Sequence, residues 1–397
     1  MRNKINVLDV YVVLAMLSIS FLSSNFAIRY ILFLFTMFFG LALLLKKKNM
    51  IIKLDCFHKK LPILLVFICG ISLKLSGFWN TGHIRYILLI YELLIILTIS
   101  LQYINKGGLN ILGSYFTWLI ILNLIFMIFM KDISFYNYYG NIVFKGLYYE
   151  KNALGYNIML GIPVFVELFR NTNIKYKKIF YLILVFISFT FIYLSKSTSS
   201  LILSLLLIFL SFRKKEKNIK LLNLFPFFGL IFILYLYNYD AIISSNFNLF
   251  VTRLLGKGLD FTGRSIIWFF CLEMFVKKPI LGYGFNGFWS NTEYVTSIMH
   301  YMGYQAVGFH AHNGYIEMLM STGIIGTFVY FLILKYVISN LKRKEILNSF
   351  TNSEIIIFII IIISNFVSNN LLSLSFSFEY VMLLLYKIAS IKNENIK

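Results

Sequence analysis

Long runs of apolar residues without a single charge dominate this chain and limit what it can fold into. Of its 397 residues, 59% are hydrophobic and 13% are charged, whereas a soluble globular domain carries about 25% charged residues. A helix needs roughly 17 to 25 apolar residues to cross a bilayer core, and about twelve such segments can be placed. They centre near Leu14, Phe35, Phe67, Leu94, Ile120, Gly161, Val185, Leu205, Leu230, Ile325, Ile360 and Met382. The sequence therefore predicts an all-α, polytopic integral membrane protein with a single domain over residues 1–397.

The distribution of Lys and Arg predicts how the chain is oriented in the membrane. Short cytoplasmic loops retain basic residues. Placing the N-terminus inside puts about 25 of the 37 Lys and Arg residues on the inner side and about 12 on the outer side. An even number of spans then returns the C-terminus to the cytoplasm. The net charge of +21 is therefore a topology signal. Nucleic-acid binding requires a basic face on a folded soluble domain, and the inner loops are too short to form one.

One connection is too long to be a passive turn between spans. Residues from about 239 to 313 form a polar segment of roughly 75 residues on the outer side. Inside it, an apolar run after Thr262 ends at Lys278 and Pro279, which predicts a short helix with Thr262 as its N-cap. A helix of about 14 residues cannot span the bilayer, so it should lie in the interface. A smaller outer loop, from about 131 to 151, is rich in Tyr, which suits either an interfacial belt or contacts with sugar.

Arg264 falls in the first turn of that short helix. Free backbone N–H groups and the helix dipole favour an anion there, so Arg264 is predicted to bind phosphate. The other cations expected at the outer side are Arg29, Arg85, Lys196, Arg253 and Lys257. For Arg29 and Arg85, snorkelling to lipid headgroups is favoured over a functional role. Lys196 lies among Ser and Thr residues, which suits either a polar hairpin turn or a phosphate contact.

His310 and His312 stand two residues apart just before the next predicted span. An imidazole titrates near neutral pH and accepts a proton from an attacking hydroxyl, so His312 is predicted to be a general base or a phosphate contact. A pair of His residues also suits a metal ion, but no Cys or carboxylate partners stand at ligand spacing in the sequence. No metal site is therefore predicted. Glu317, further along the same span, is expected to orient His312 or to cap the mouth of the bundle.

Four short motifs within residues 150–335 together resemble the O-antigen ligase and Wzy-type polysaccharide polymerase family. They are Arg264 with Trp268, Gly282 and Gly284 with Phe288 or Trp289, His312 with Asn313 and Tyr315, and Gly323 with Gly326. A further stretch, Glu150-Lys151-Asn152, resembles the Asn-containing start of the family's sixth span. The four Gly residues are expected to permit turns and close helix contacts rather than to bind substrate.

The resemblance implies a GT-C-like, membrane-embedded glycosyltransferase that uses no metal ion or other cofactor. Its donor would be an undecaprenyl-diphosphate-linked oligosaccharide. Arg264 would hold the donor diphosphate, and His312 would activate the acceptor hydroxyl or contact the diphosphate. Ser195 and Lys196 stand where the family often has a Ser-Arg pair, so Lys196 is predicted to replace that Arg. The predicted substrate-binding residues are Lys196, Arg253, Lys257, His310, Asn313, Tyr315 and Trp268.

Polymerisation of a capsular polysaccharide, exopolysaccharide or O-antigen is the function that these predictions favour. The enzyme would join lipid-linked repeat units on the outer face of a bacterial plasma membrane, with a flippase and a chain-length regulator as further partners. A ligase that transfers a finished glycan to another acceptor fits the same motifs. The Asn-, Ile- and Lys-rich composition is typical of AT-rich Gram-positive bacteria without a lipid A acceptor, which favours the polymerase.

A transporter of lipid-linked glycan is an alternative from another class. Transporters have charged residues along a path through the membrane and often consist of two repeated halves. In this chain the charges inside the predicted spans are few, and the polar residues gather at one end. The intramembrane charges are Asp9, Lys74, Glu92 and Glu167. The pattern therefore favours the enzyme.

Overall fold

The described part of the chain folds into a bundle of helices with one short β-hairpin. The structure is a computed structural model that describes residues 7–21, 34–36, 38–40, 54–138, 140–255, 264–302, 310–368, 371–372 and 375–394. The first helices are α1 (Val7–Phe21), α2 (Phe57–Leu75), α3 (Trp79–Lys106), α4 (Gly108–Phe129), α5 (Lys131–Ser134), α6 (Lys151–Asn171), α7 (Lys175–Leu194) and α8 (Thr198–Ser211). The middle helices are α9 (Lys215–Ile219), α10 (Phe225–Tyr237), α11 (Tyr239–Ile243), α12 (Asn246–Leu255), α13 (Arg264–Lys277) and α14 (Thr292–Met302). The last helices are α15 (Gly314–Leu341), α16 (Lys344–Asn348), α17 (Asn352–Ser364) and α18 (Phe376–Glu394).

Six helices within the described residues are long and apolar enough to cross a bilayer. They are Trp79–Asn105, Gly108–Phe129, Lys151–Asn171, Lys175–Leu194, Lys215–Tyr237 and Gly314–Leu341. In the fifth of these, a 3-10 helix (Lys220–Leu224) joins α9 to α10. Helices α8 and α17 are apolar as well but shorter. The chain is thus a helical, multi-pass membrane protein, as predicted, and the total of about twelve spans stays a prediction. Of the predicted span near Phe35, residues 34–36 and 38–40 are described.

Contacts between helix ends define one end of the bundle, the basic end. Near the C-terminus of α6, Glu167 accepts hydrogen bonds from the first two backbone N–H groups of α17, at 3.1 and 2.6 Å. Nζ of Lys215 donates to the carbonyl of Leu347 in α16 at 3.1 Å. Arg170, also in α6, donates to the carbonyl of Ser211 at the end of α8 at 2.8 Å. The end of α6, the end of α8 and the start of α17 therefore lie together.

Basic clusters that the sequence assigned to the inner side meet at this end. The clusters are Arg170 with Lys175, Lys177 and Lys178, the stretch 213–220, and residues 342–344. The opposite end of α17 lies beside the start of α15, where the N–H of Gly314 donates to the carbonyl of Asn365 at 2.8 Å. This second end, the histidine end, carries His310, His312 and Arg264. The predicted catalytic residues and the basic loops are therefore separated by the length of the helices.

Helix α15 is interrupted at Gly323, which adopts φ 61° and ψ −161°. Residues 279–283 enter the interruption, and the N–H of Tyr283 donates to the carbonyl of Met320 at 2.7 Å. A Cβ atom on Gly282 would lie 2.5 Å from that same carbonyl oxygen, and one on Gly323 would overlap the backbone of the entering segment. Only Gly permits so close a crossing of two main chains. The prediction that these two Gly residues serve turns and close contacts is confirmed.

A β-hairpin forms in the Tyr-rich connection between α4 and α6, where the sequence analysis predicted only a loop. Strand β1 (Phe135–Tyr138) pairs antiparallel with β2 (Asn141–Phe144). Phe135 lies opposite Phe144, and their rings are 5.0 Å apart. Aromatic and β-branched residues favour strands, and Gly140, at φ 77°, permits the turn.

Candidate active site

A small hydrophobic cluster supports the residues at the histidine end. It is separate from the main core of the bundle and joins α13, the loop after α13, α14 and the start of α15. Its buried members are Ile267, Trp268, Cys271, Met274, Tyr283, Phe288, Ile298, Ala311, Ile316 and Met320. Burial of apolar surface stabilises such a cluster by about 25 cal/mol per Å². The short helices of the long connection are therefore packed firmly against α15.

Ala311, the residue between the two histidines, is held from both sides. Its side chain is fully buried, and its N–H donates to Oε2 of Glu317 at 3.0 Å. Its carbonyl accepts from Nε1 of Trp268 at 2.8 Å. The rings of the flanking histidines lie 3.9 Å apart, centroid to centroid. Glu317 and Trp268 thus form a clamp on the Ala311 backbone, the Ala311 clamp, which fixes the segment that carries both imidazoles.

His312 adopts a strained backbone conformation that its neighbours stabilise. Its φ of 50° lies in the left-handed region, which residues other than Gly adopt at a cost of about 1–3 kcal/mol. Asn313 follows as the N-cap of α15, and its Oδ1 accepts from the N–H groups of Tyr315 and Ile316 at 3.0 and 3.1 Å. The strained residue therefore lies between the Ala311 clamp and a helix cap. Backbone strain of this kind is concentrated at functional sites.

Three consecutive carbonyls after α17 hold Arg264 beside residues 310–313, the histidine segment. They belong to residues 365–367. The first accepts from the N–H of Gly314 at 2.8 Å, the second from Nδ2 of Asn313 at 2.9 Å, and the third from Nη1 of Arg264 at 2.6 Å. Carbonyls at a helix C-terminus lack partners within the helix and carry partial negative charge, which suits these donors. One short segment therefore brings together Arg264 and the residues that follow His312.

The two imidazoles lie in a partly buried environment that is rich in cations. Burial lowers the pKa of His312 well below the usual 6.5, and the charges of His310 and Arg264 lower it further. Burial also lowers the pKa of His310, where the Glu150 carboxylate opposes the shift and Arg264 and Arg85 add to it. His312 is therefore a neutral imidazole near pH 7, the form that accepts a proton.

Three residues predicted to contact substrate are occupied by contacts within the protein. Trp268 is 1% exposed, and its indole N–H is bound to Ala311, so its ring has no free face for a sugar. Asn313 is fully buried and caps α15. The hydroxyl of Tyr315 donates to the carbonyl of Ile362 in α17 at 2.8 Å. Burial and hydrogen bonding give these three side chains supporting roles within the protein, and their contact with substrate stays a prediction.

The other predicted cations lie apart from this arrangement or outside the described residues. Lys196, in the turn between α7 and α8, is exposed and also has a positive φ, of 50°. Its Nζ donates to Oδ1 of Asn141 on β2 at 2.8 Å, so it contacts the hairpin, and its role in phosphate binding stays a prediction. Arg253 is exposed near the end of α12. Lys257 and the predicted N-cap Thr262 lie outside the described residues.

Two charged residues that were not predicted from the sequence, Arg85 and Glu150, also lie near the site. Arg85, in the first part of α3, was predicted to snorkel to headgroups, and Glu150, just before α6, was noted for its motif alone. Both act electrostatically on His310. These two residues lie near His310 because of tertiary contacts. The only local sequence feature that suggests it is the position of Arg85 at the outer end of a predicted span. The predicted orienting role of Glu317 agrees with its hydrogen bond to Ala311.

For a bound group, the site offers cations rather than a set of metal ligands. Arg264 and Arg85 supply positive charge near the imidazoles. In the part of the chain that the structure describes, no three His, Cys, Asp or Glu side chains gather as ligands of a metal ion. Guanidinium groups pair well with phosphate oxygens. The arrangement is thus suited to an anion beside a proton acceptor.

Comparison with known proteins identifies the segment that carries this site. Residues 183–331 match the family model described as O-Antigen ligase. This segment is similar to the O-antigen ligase family. It includes α13, the Ala311 clamp and the interruption in α15, so the resemblance predicted from the motifs is confirmed. The Glu150-Lys151-Asn152 stretch precedes the matched residues.

A relative from Rhizobium meliloti is similar to part of the chain. The exopolysaccharide production protein ExoQ is 34% identical over 83 residues, which are 20% of this chain and 19% of that protein. The match therefore spans about a fifth of the length of the relative.

Proposed function

We propose that the chain is a glycosyltransferase that joins undecaprenyl-diphosphate-linked repeat units into a capsular polysaccharide, exopolysaccharide or O-antigen. The observation that carries the proposal is that Arg264 and the His312 segment are fixed to the same three carbonyls at one end of a membrane bundle. The descriptions of the matched family and of ExoQ support a polysaccharide as the product. The positive-inside rule assigns the basic end to the cytoplasm, so the reaction takes place at the outer face of the plasma membrane.

The transfer step follows from the charges at the site. The acceptor hydroxyl oxygen attacks the anomeric carbon of the donor sugar and forms the new glycosidic bond. The bond from that carbon to the lipid diphosphate breaks, and the diphosphate leaves with the electron pair. His312 takes the hydroxyl proton, and Arg264 stabilises the negative charge that develops on the leaving group. Lys196, Arg253 and Lys257 are proposed as further contacts for the lipid-linked substrate.

Binding of the donor diphosphate is expected to change the pKa of His312. Arg264 lowers the pKa of His312, which keeps the imidazole neutral but makes it a weak base. A diphosphate bound to Arg264 adds negative charge beside that imidazole. The pKa of His312 should therefore rise when the donor binds, so that the base becomes stronger only in the loaded site.

The experiment is reconstitution of the purified full-length chain in lipid nanodiscs. The probe is the lipid-linked oligosaccharide pool extracted from source cells that lack this protein. Longer glycans with released undecaprenyl diphosphate indicate the polymerase. Arg264→Ala should lower kcat about 10²- to 10³-fold and His312→Ala about 10²- to 10⁴-fold. Lys175→Ala, which removes an exposed cation at the basic end, is the matched control and should keep full activity.

The same assay separates the alternatives. Transfer of an unextended glycan to an added lipid or protein acceptor indicates a ligase, which the family description favours. Movement of the lipid-linked substrate between leaflets without any new bond indicates a flippase. Full activity of Arg264→Ala would contradict the proposed site in either enzyme.

A further inference from the structure

Glu317 accepts hydrogen bonds from donors in and beside the histidine segment. Its carboxylate accepts from Nε1 of Trp289 with both oxygens, at 2.8 and 2.9 Å, and from the N–H of Ala311 at 3.0 Å. On the other side of the segment, Trp268 donates to the Ala311 carbonyl at 2.8 Å. Only 5% of Glu317 is exposed, so a bulky lipid-linked glycan has no access to it.

We propose that Glu317 is a positioning residue, which acts through the Ala311 clamp to hold His312 in its left-handed conformation and so sets the reactivity of that imidazole. The effect on catalysis rests on the function proposed above. The effect on the imidazole itself does not, and it can be measured without a substrate.

The strain at His312 explains why a clamp is needed. A residue with φ 50° relaxes to a lower-energy backbone unless the structure around it prevents this. The cap at Asn313 fixes the chain after His312, and the clamp fixes both backbone polar groups of the residue before it. Loss of the clamp removes the restraint on one side. The imidazole is then free to leave its position against His310 and Arg264.

The geometry favours a carboxylate at residue 317. Two N–H donors, from Trp289 and Ala311, converge on the side-chain oxygens. A carboxylate is an acceptor only, so it serves both donors. The amide of a Gln side chain has one oxygen, and its NH₂ group would face a donor. Glu317→Gln keeps the shape of the side chain, but in either orientation of the amide its NH₂ group faces the Trp289 N–H, because Trp289 contacts both oxygens. Two donors that face each other weaken the Ala311 clamp, which makes this the informative variant.

The charges around the imidazoles predict the direction of the change. The groups that act on His312 are His310 and Arg264, and those that act on His310 also include Arg85 and Glu150. Burial is the main cause of the low pKa of His312. A released segment is more hydrated and lies further from Arg264, so the pKa of His312 should rise toward 6.5.

The test uses two readouts that need no substrate. Diethyl pyrocarbonate acylates neutral imidazole, and its pH profile at His312, followed by peptide mass spectrometry, reports the midpoint of titration. Hydrogen exchange at the Ala311 amide reports the clamp. In Glu317→Gln, the His312 midpoint should move up toward 6.5, and the amide should exchange at least about fivefold faster, since one net hydrogen bond is worth about 1 kcal/mol.

Activity supplies the third readout. Misplacement of a catalytic group by about 1 Å can lower turnover about 10²-fold. We therefore expect Glu317→Gln to lower kcat by about 10²-fold with little change in KM, because Glu317 does not contact the substrate. Glu317→Asp, which keeps the acceptor charge, should recover part of the loss.

The matched control is Glu167→Gln. Glu167 also accepts two backbone N–H groups, at 3.1 and 2.6 Å, but at the basic end. It should leave the His312 midpoint, the Ala311 amide and kcat unchanged. If Glu317→Gln fails to fold, Trp268→Phe removes the donor to the Ala311 carbonyl and should shift the same readouts in the same direction.

Two results would overturn the inference. One is an unchanged His312 midpoint and an unchanged Ala311 amide in a folded Glu317→Gln protein. The other is a raised KM with both of these readouts unaltered, which would make Glu317 a substrate contact. Failure of the proposed function is distinguishable, because a wild-type protein without transferase activity would still show the shift on Glu317→Gln.

Discussion

Replacement of Asn313 tests whether this side chain caps a helix or binds substrate. Its Oδ1 accepts from two backbone N–H groups of α15, at 3.0 and 3.1 Å, and its Nδ2 donates to the carbonyl of Phe366 at 2.9 Å. Loss of an N-cap costs about 1 kcal/mol, and an unpaired buried carbonyl costs about 1–3 kcal/mol. Asn313→Ala should therefore lower the free energy of unfolding by about 2–4 kcal/mol.

A second variant separates the two parts of this effect. Asn313→Ser keeps an oxygen that caps the helix and loses the donor to Phe366, so its loss of stability should be smaller. Thermal unfolding in detergent, followed by Trp fluorescence, should rank the melting temperatures as wild type, then Ser, then Ala. Asn348→Ala, at an exposed position, should change stability by less than about 0.5 kcal/mol. An unchanged melting temperature of Asn313→Ala with a raised KM for the lipid-linked donor would refute the reasoning and restore a substrate contact.

Three further predictions concern stability and pH. Gly282 has a positive φ, and Gly282→Ala would place a methyl group 2.5 Å from the Met320 carbonyl oxygen, so it should greatly reduce the yield of folded protein. Gly229→Ala, whose added methyl group meets no atom within 4 Å, should fold normally. Size-exclusion chromatography compares the two variants. Glu379 is fully buried, and neither carboxyl oxygen has a hydrogen-bond partner among the described residues, so Glu379→Gln should raise the melting temperature at neutral pH. Because the pKa of His312 lies well below 6.5, a base at this position stays deprotonated as the pH falls through 6.5. The acid limb of kcat/KM, which reports the free enzyme, should therefore lie below pH 6.5, and a limb above 6.5 would contradict His312 as the base.

Local signals were sufficient for the short helix that carries Arg264. The sequence predicted the end of this helix from an apolar run and from Pro279, and the helix ends at Lys277 in the structure. Asn313 stands directly before an apolar helix, which is the sequence signature of an N-cap. Its capping role could therefore also have been predicted from the sequence. The contacts of Trp268 and Tyr315 could not be predicted, because a helix with apolar residues on most sides does not reveal which face is packed.

The parts of the site that come from distant segments were beyond sequence reasoning. Arg85, in α3, and Glu150, just before α6, both act on His310. Neither residue belongs to a motif that predicts this contact. The hairpin and the crossing at Gly323 likewise depend on contacts between remote segments. Burial and electrostatics are properties of the assembled bundle, so they appear only in three dimensions.

The three carbonyls that follow α17 have a mechanical consequence. They accept hydrogen bonds from the Arg264 guanidinium and from the residues that follow His312, so both groups are attached to the same segment. A tilt of that segment would carry both groups along as a unit and preserve their separation. The spacing on which proton removal and charge neutralisation depend should therefore stay constant when a large amphiphilic substrate displaces this end of the bundle.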